Sequence, residues 1–343
     1  MAGGEWLIFI SDYHDNKVAL NKESTNFRPA GDDDFRKAYA DFRGGNGFVG
    51  IVDSVENVWK EQRRFAMHNL KNLGFGKSSM EAQIMDEIQA FISDLDCKIL
   101  RNDEIDFGVS FNISVMNVLS RMISGTRFNN DNMEDRKLFN AITKLFEVLD
   151  PTKIIVAFGL PYSWKEYNPY YKKAMKHINS MYDMFAEQKK KHLISFDPDD
   201  MRDYMDCYLR EMKTATEEGK QESSFYGEEG EINLKASLSD LYLAGSETSS
   251  TTLLFSIIYM VNYPEIQEKV QAEIDRVVGQ DRLPSLEDRK ELPFLDATIS
   301  EVQRCSNVAH LSVVVTIKFF FNLPQFRKLF LILKIESFKF HFI

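Results

Sequence analysis

Cysteine is scarce in this chain: Cys97, Cys207 and Cys305 are the three in 343 residues. Their scattered spacing fits neither a disulfide framework nor a zinc site. It points instead to a reducing, cytosol-facing compartment. Long apolar runs are missing as well. None approaches the roughly 20 residues of a membrane span, so neither a signal peptide nor a transmembrane segment is expected here. Positive charge is the minority sign, with 42 basic against 52 acidic residues and a net charge of −10. That balance disfavours nucleic acid as a general partner. Strict polar–apolar alternation is rare and no repeat of fixed period is visible, which argues against a sheet-dominated or solenoid fold.

What remains is helical periodicity over a chain that is 44% hydrophobic, enough for a sizeable core. The spacing predicts helices over Ser78 to Leu100, Ser110 to Ser124, Asp131 to Leu149 and Asn168 to His192. Leu7 to Ile10 is the best strand candidate, and charged, glycine-punctuated Thr214 to Gly230 reads as a solvated loop. Pro264 suits the first turn of a helix, where its missing N–H costs nothing. Lys189-Lys190-Lys191-His192 is the strongest basic run, and a helix C-terminus accommodates such charges. Gly74-Phe75-Gly76-Lys77-Ser78 lacks the spacing of a phosphate loop.

Three short constellations carry possible chemistry. Ala244-Gly245-Ser246-Glu247-Thr248 places two small residues before an acid and an alcohol, within a long helical stretch. The Thr248 hydroxyl is expected to bond back to the Ala244 carbonyl one turn earlier, loosening the helix and opening a notch beside it. Glu247 could carry protons to that hydroxyl from solvent; an incidental Ser/Thr-rich turn is the alternative. Trp59 and Arg63 are four apart, so an indole N–H and a guanidinium share one helix face. Both are pure donors and suit a carboxylate, although a Trp packed on an Arg stem would look the same in sequence. Glu301 and Arg304, three apart, can pair on one face, as can many solvated surface charges.

Taken in register, these motifs resemble those of the cytochrome P-450 superfamily. The likeness extends through Ser239 to Leu243, Ser249 to Leu254, Tyr263 to Asp275 and Arg289 to Ala297. Asn112 to Val118, Gly125 to Phe128 and Asp203 to Asp206 are further landmarks, and the whole runs from about Gly4 to about Ala309. The branch it resembles is the animal microsomal one that oxidises lipids and foreign compounds. The resemblance implies a mainly α fold, a helical prism with a small β lobe. It implies haem as cofactor, dioxygen and a small apolar organic substrate (xenobiotic, fatty acid or steroid), and electrons from an NADPH-dependent flavoprotein reductase. Asp240, Leu241, Ala244 and Gly245 would line the distal pocket, with Ala244 and Gly245 lying against the haem. Glu247 and Thr248 would relay protons, Trp59 and Arg63 would hold a haem propionate, and Glu301 and Arg304 would fix the proximal side with a partner from a later loop. The family's location is the cytosolic face of the endoplasmic reticulum membrane. This stretch carries no anchor and reads as cytoplasmic.

The sequence also departs from the family. Its iron-binding cysteine lies in a Phe-x-x-Gly-x-x-x-Cys-x-Gly loop, absent from these 343 residues. Cys97, Cys207 and Cys305 lack that context and are expected to be bystanders. From Val313 to Ile343 there is no Gly, Ala or Asp, and eight of the 31 residues are Phe. We therefore divide the chain into a partial family domain over 1–309 and an atypical tail over 310–343 that resembles translated non-coding sequence. On this reading the stretch as written is poorly stable and a non-enzymatic fragment, either inert or a helical interaction module, while the monooxygenase describes its intact parent.

Overall fold

The structure is a computed structural model that describes residues 12–20, 34–45, 48–128, 133–148, 151–306 and 308. By internal contacts the chain divides into Met1–Pro29 with Val314–Ile343, and Ala30–Val313. In the first unit the described element is helix α1, Tyr13–Leu20, whose start is capped by the Asp12 carboxylate on the N–H groups of His14 and Asp15. The strand expected at Leu7 to Ile10 and the tail over 310–343 lie outside the described residues.

The second unit is helical throughout its described part. It holds α2 (Asp34–Phe42), α3 (Glu56–Asn72), α4 (Ser78–Arg101), α5 (Phe107–Ser124), α6 (Met133–Val148) and α7 (Pro151–Phe158). Then follow α8 (Pro169–Ile194), α9 (Tyr204–Glu217), α10 (Gly227–Asn262), α11 (Pro264–Val277) and α12 (Pro293–Ser306). Two short 3-10 helices, Tyr162–Tyr167 and Leu286–Glu291, connect them. Among the described residues there is no strand, so a small β lobe is not part of what is seen here.

Local chemistry sets the helix ends. The Asn168 side chain accepts from the N–H groups of Tyr170 and Tyr171 and donates to the carbonyls of Val156 and Ala157. It thereby starts α8 and ties it to the end of α7. Asp106 caps α5 through Val109 N, Asp203 caps α9 through Asp206 N, and Pro264 occupies the first turn of α11 as expected. Thr214 to Gly230 is a solvated loop only in its middle, where Glu218 to Glu222 are exposed and outside any helix. Thr214 to Glu217 completes α9 with Ala215 buried, α10 begins at Gly227, and Ser224 and Phe225 between them are buried. Phe225 packs on Phe65 and Tyr208 with ring centroids 5.0 Å apart in both pairs, an aromatic anchor that outweighs the surrounding charges.

α10 is the axis of the unit, about 54 Å long at 1.5 Å per residue. It packs most extensively on α5 and also touches α6, α8, α9, α11 and α12. Its first half buries Asn233, Leu234, Ala236, Leu238, Asp240 and Tyr242, on more than one face. Tyr242 stacks on Phe185 of α8 at 5.6 Å and sits within hydrogen-bond reach of Ser120 on α5. The second half exposes Leu253, Ile258 and Val261.

His192, at the end of α8, ties that helix to the start of α9. Its two ring nitrogens face acceptors, the Gln188 carbonyl at 2.8 Å and Asp203 Oδ2 at 2.8 Å, an arrangement both nitrogens satisfy only as an imidazolium with two N–H donors. Burial alone would pull this histidine down. The hydrogen bond and charge of Asp203, the Gln188 carbonyl and the charge of Asp206 outweigh burial and raise it above its ordinary 6.5. A raised folded value means stability that is full below pH 6.5 and lost as pH rises through the folded value. The unfolding midpoint should therefore fall on going alkaline from pH 6.5, and His192→Leu should flatten that fall. Denaturation of both chains across pH 6 to about 9 checks this. Identical pH slopes would remove His192 as the cause.

Candidate functional site

The middle of α10 bears out the expected back-bond. Thr248 Oγ1 donates to the Ala244 carbonyl at 2.7 Å. The helix does not open there, because residues 227–262 remain one continuous α-helix. Ala244 and Thr248 are both exposed on a helix whose preceding half is largely buried. Small, exposed and one turn apart, they leave room for a flat group along this strip.

Gly245 does not share that strip. A Cβ at this position would lie 2.9 Å from both methyl carbons of Leu119, so its smallness serves the close approach of α5. Glu247 likewise turns toward α5. Its carboxylate accepts from Asn112 Nδ2 at 3.2 Å and from Thr251 Oγ1 at 3.4 Å. It opens on a cleft of about 280 Å³ shared with Asp106, Thr143 and Ser250, between the start of α5, α6 and α10. The cleft is open to solvent and carries apolar Val109, Phe139 and Leu254 beside its polar groups, and it gives Glu247 a path to solvent.

Asp240 corrects the expected pocket lining. It is 6% exposed, and its Oδ1 accepts from Arg43 Nη2 at 2.7 Å while Oδ2 accepts from the N–H groups of Ile51 and Val52. Arg43 Nε lies 2.8 Å from Asp53, which also accepts from the Tyr39 hydroxyl. Gly50 allows this approach: it has φ +74°, and a Cβ there would sit 2.6 Å from Asp240 Oδ2. Asp240 is thus a buried tie between α10 and the segment before α3, not a wall of the pocket. Leu241 is half-buried and packs on the core.

α3 presents its own pair. Trp59 is half-buried, Arg63 is exposed, and the guanidinium lies 5.6 Å from the indole centroid. This contact matches the packing alternative. Arg63 nevertheless has no ion pair among the described residues, and its fork remains free for a carboxylate. Gln62, next to it, is fully buried: Oε1 accepts from Tyr208 at 3.0 Å and Ser237 at 3.1 Å, and Nε2 donates to Ser224. Ser237, Ala244 and Thr248 are seven and four residues apart and share a helix face, with Ala244 about 10 Å along the axis from Ser237. The Gln62–Ser237 bond therefore docks α3 on the stripe that carries Ala244 and Thr248. Gln62 was missed in the sequence, although its inward spacing with Ala66 and Asn69 marks it.

α12 packs on α10 and α11. On it, Arg304 Nη2 meets Glu301 Oε1 at 2.6 Å and Nε meets Oε2 at 2.7 Å, so the expected pair forms. The Arg304 fork, helped by the Cys305 thiol, holds the Glu301 carboxyl down at about 2. The pair is exposed among the described residues. Of the other thiols, Cys97 is exposed and Cys207 is buried.

A long central helix with an exposed Ala–Thr strip, a helix with an unpaired Arg63 fork docked beside it and a paired Glu–Arg helix define an all-helical class of fold in the described residues. Comparison with known proteins agrees: the Cytochrome P-450 family profile matches residues 1–318, and the chain belongs to that family. Members of the family are haem-iron oxidoreductases of the monooxygenase type. Cytochrome P-450 2J2 of Homo sapiens is 37% identical over 272 residues, covering 77% of this chain and 51% of the relative. Cytochrome P-450 2C29 of Mus musculus is 32% identical over 303 residues, covering 88% and 59%. Cytochrome P-450 2B19 of Mus musculus is 32% identical over 265 residues, covering 77% and 52%. The chain thus spans about half the length of the curated relatives it matches.

Proposed function

We propose that this chain carries the distal and propionate-binding part of a haem-thiolate monooxygenase. The whole protein would insert one oxygen atom from dioxygen into a small apolar organic substrate, with electrons from an NADPH-dependent flavoprotein reductase at the cytosolic face of the endoplasmic reticulum. The observation that carries this reading is the Thr248–Ala244 bond on an exposed strip of a helix whose preceding half is largely buried. When bound, haem supplies the iron at which dioxygen is reduced. Ala244 gives the ring room, and Trp59 and Arg63 supply donors for a propionate. Thr248 holds a hydroxyl proton at the strip, and Glu247, steadied by Asn112, draws protons from the cleft beside α5. Gly245 supports the site through its packing on Leu119, and Glu301 with Arg304 stiffens α12.

Haem titration of the chain tests the donor pair. Arg63→Ala should weaken haem binding about tenfold or more, the loss of a charge-assisted bond of about 1.5–3 kcal/mol. Unchanged affinity would remove Arg63 from the site.

The cysteines favour a second reading for the stretch as written, a non-enzymatic fragment without tightly bound haem. Burial pushes the Cys207 thiol up to about 11, Cys97 lies exposed on α4, and Cys305 donates to Glu301. None sits in a glycine-rich loop. We place the family domain over 1–309 and the atypical tail over 310–343, with the family match running nine residues past that boundary. Among the described residues no helix is long and apolar enough to cross a membrane. The net charge of −10 supports a protein without nucleic-acid partners.

A further inference from the structure

The basic run at the end of α8 has a setting that the oxygenase reading does not use. Lys189 pairs with Glu231 of α10, Lys190 with Glu187, and His192 with Asp203. Beside them a groove of about 200 Å³ runs between α8 and the first turns of α10. Its floor is apolar: Phe185 and Leu234 are 1% and 2% exposed, and Leu193 forms an exposed rim. Lys235 lines the same groove, is half-buried, and has neither ion pair nor hydrogen bond among the described residues.

An ammonium partly withdrawn from water over an apolar floor, without a counter-ion, favours an anion beside it. The surroundings reinforce it. In a chain of net charge −10, the groove and its rim set Lys189, Lys190 and Lys235 against Glu187 and Glu231. The volume is below the roughly 300–1,000 Å³ of drug-sized pockets, so the groove suits one short chain. Its recessed floor suits a single inserted chain better than a flat bilayer.

We propose that this groove is a binding site for a medium-chain carboxylate, with its head on Lys235 and Lys190 and its tail over Phe185, Leu193 and Leu234. The site is separate from the Ala244–Thr248 strip. Lys235 precedes Ala244 by nine residues, two and a half turns, which puts it on the opposite face of α10 and about 14 Å away along the axis.

Calorimetric titration of the full chain with decanoate, decanol and decyltrimethylammonium, all as monomers, tests the proposal. Decanoate should bind saturably at one site, with decanol and the cation at least tenfold weaker, a ranking that needs no variant. Lys235→Glu should weaken decanoate at least tenfold, and Lys235→Arg should leave it within about threefold. Decanol binding as tightly as decanoate, or Lys235→Glu leaving decanoate unchanged, would overturn it. So would binding to phosphatidylserine vesicles without any decanoate binding, which would make the patch a membrane contact instead.

Discussion

Arg43→Met should destabilise the chain by about 3–5 kcal/mol, the cost of leaving buried carboxylates without their cation. Arg43 is 3% exposed and stands between Asp53 and Asp240, the latter itself 6% exposed. Without the guanidinium, Asp240 keeps only the backbone N–H groups of Ile51 and Val52. Those two bonds both fall on Oδ2, so Asp240→Asn can retain them through its carbonyl oxygen. The double variant Arg43→Met with Asp240→Asn should therefore be less destabilised than Arg43→Met alone, a non-additivity that chemical denaturation reads directly. Additive losses would mean that the pair is not coupled as the geometry requires.

Gln62→Leu should cost roughly 2–4 kcal/mol, because it leaves the Tyr208 and Ser237 hydroxyls buried without a partner. Ser224 is spared, since the Glu61 carboxylate already accepts from its hydroxyl at 2.7 Å. The effect should reach the functional strip as well. Gln62 docks α3 on the Ser237 side of α10, so its loss should also lower haem affinity without touching Trp59 or Arg63. Gln62→Glu, which keeps an acceptor for both hydroxyls, should recover part of the stability. A stability loss under about 1 kcal/mol for Gln62→Leu, the worth of one ordinary hydrogen bond, would contradict the docking role.

Both effects involve partners that local spacing does not reveal. Arg43 and Asp240 are 197 positions apart, and Gln62 and Ser237 are 175 apart. Sequence reading succeeded where the determinant was local. Asn168-Pro169 starts α8, Pro264 starts α11, Thr248 bonds back to Ala244, and Glu301 meets Arg304. It failed where a distant element decides the outcome. Gly245 was read as room for a flat group, but the space is taken by Leu119 of α5. Asp240 was read as pocket lining until Arg43 is seen to claim it. The stretch from Thr214 to Gly230 is solvated only in its middle, because Ala215 and Phe225 anchor its two sides in the core.

The proposed roles of the three cysteines meet at one measurement, the reduced carbon-monoxide difference spectrum of the expressed chain supplied with haem. The account predicts no long-wavelength Soret band of thiolate-ligated haem. Cys207 is buried and held as a thiol, and Cys97 and Cys305 lie on helices without a ligating loop. The monooxygenase activity would then belong to a longer product in which another segment supplies the thiolate. A thiolate-type band from this chain would contradict the account, because one of Cys97, Cys207 or Cys305 would then ligate iron.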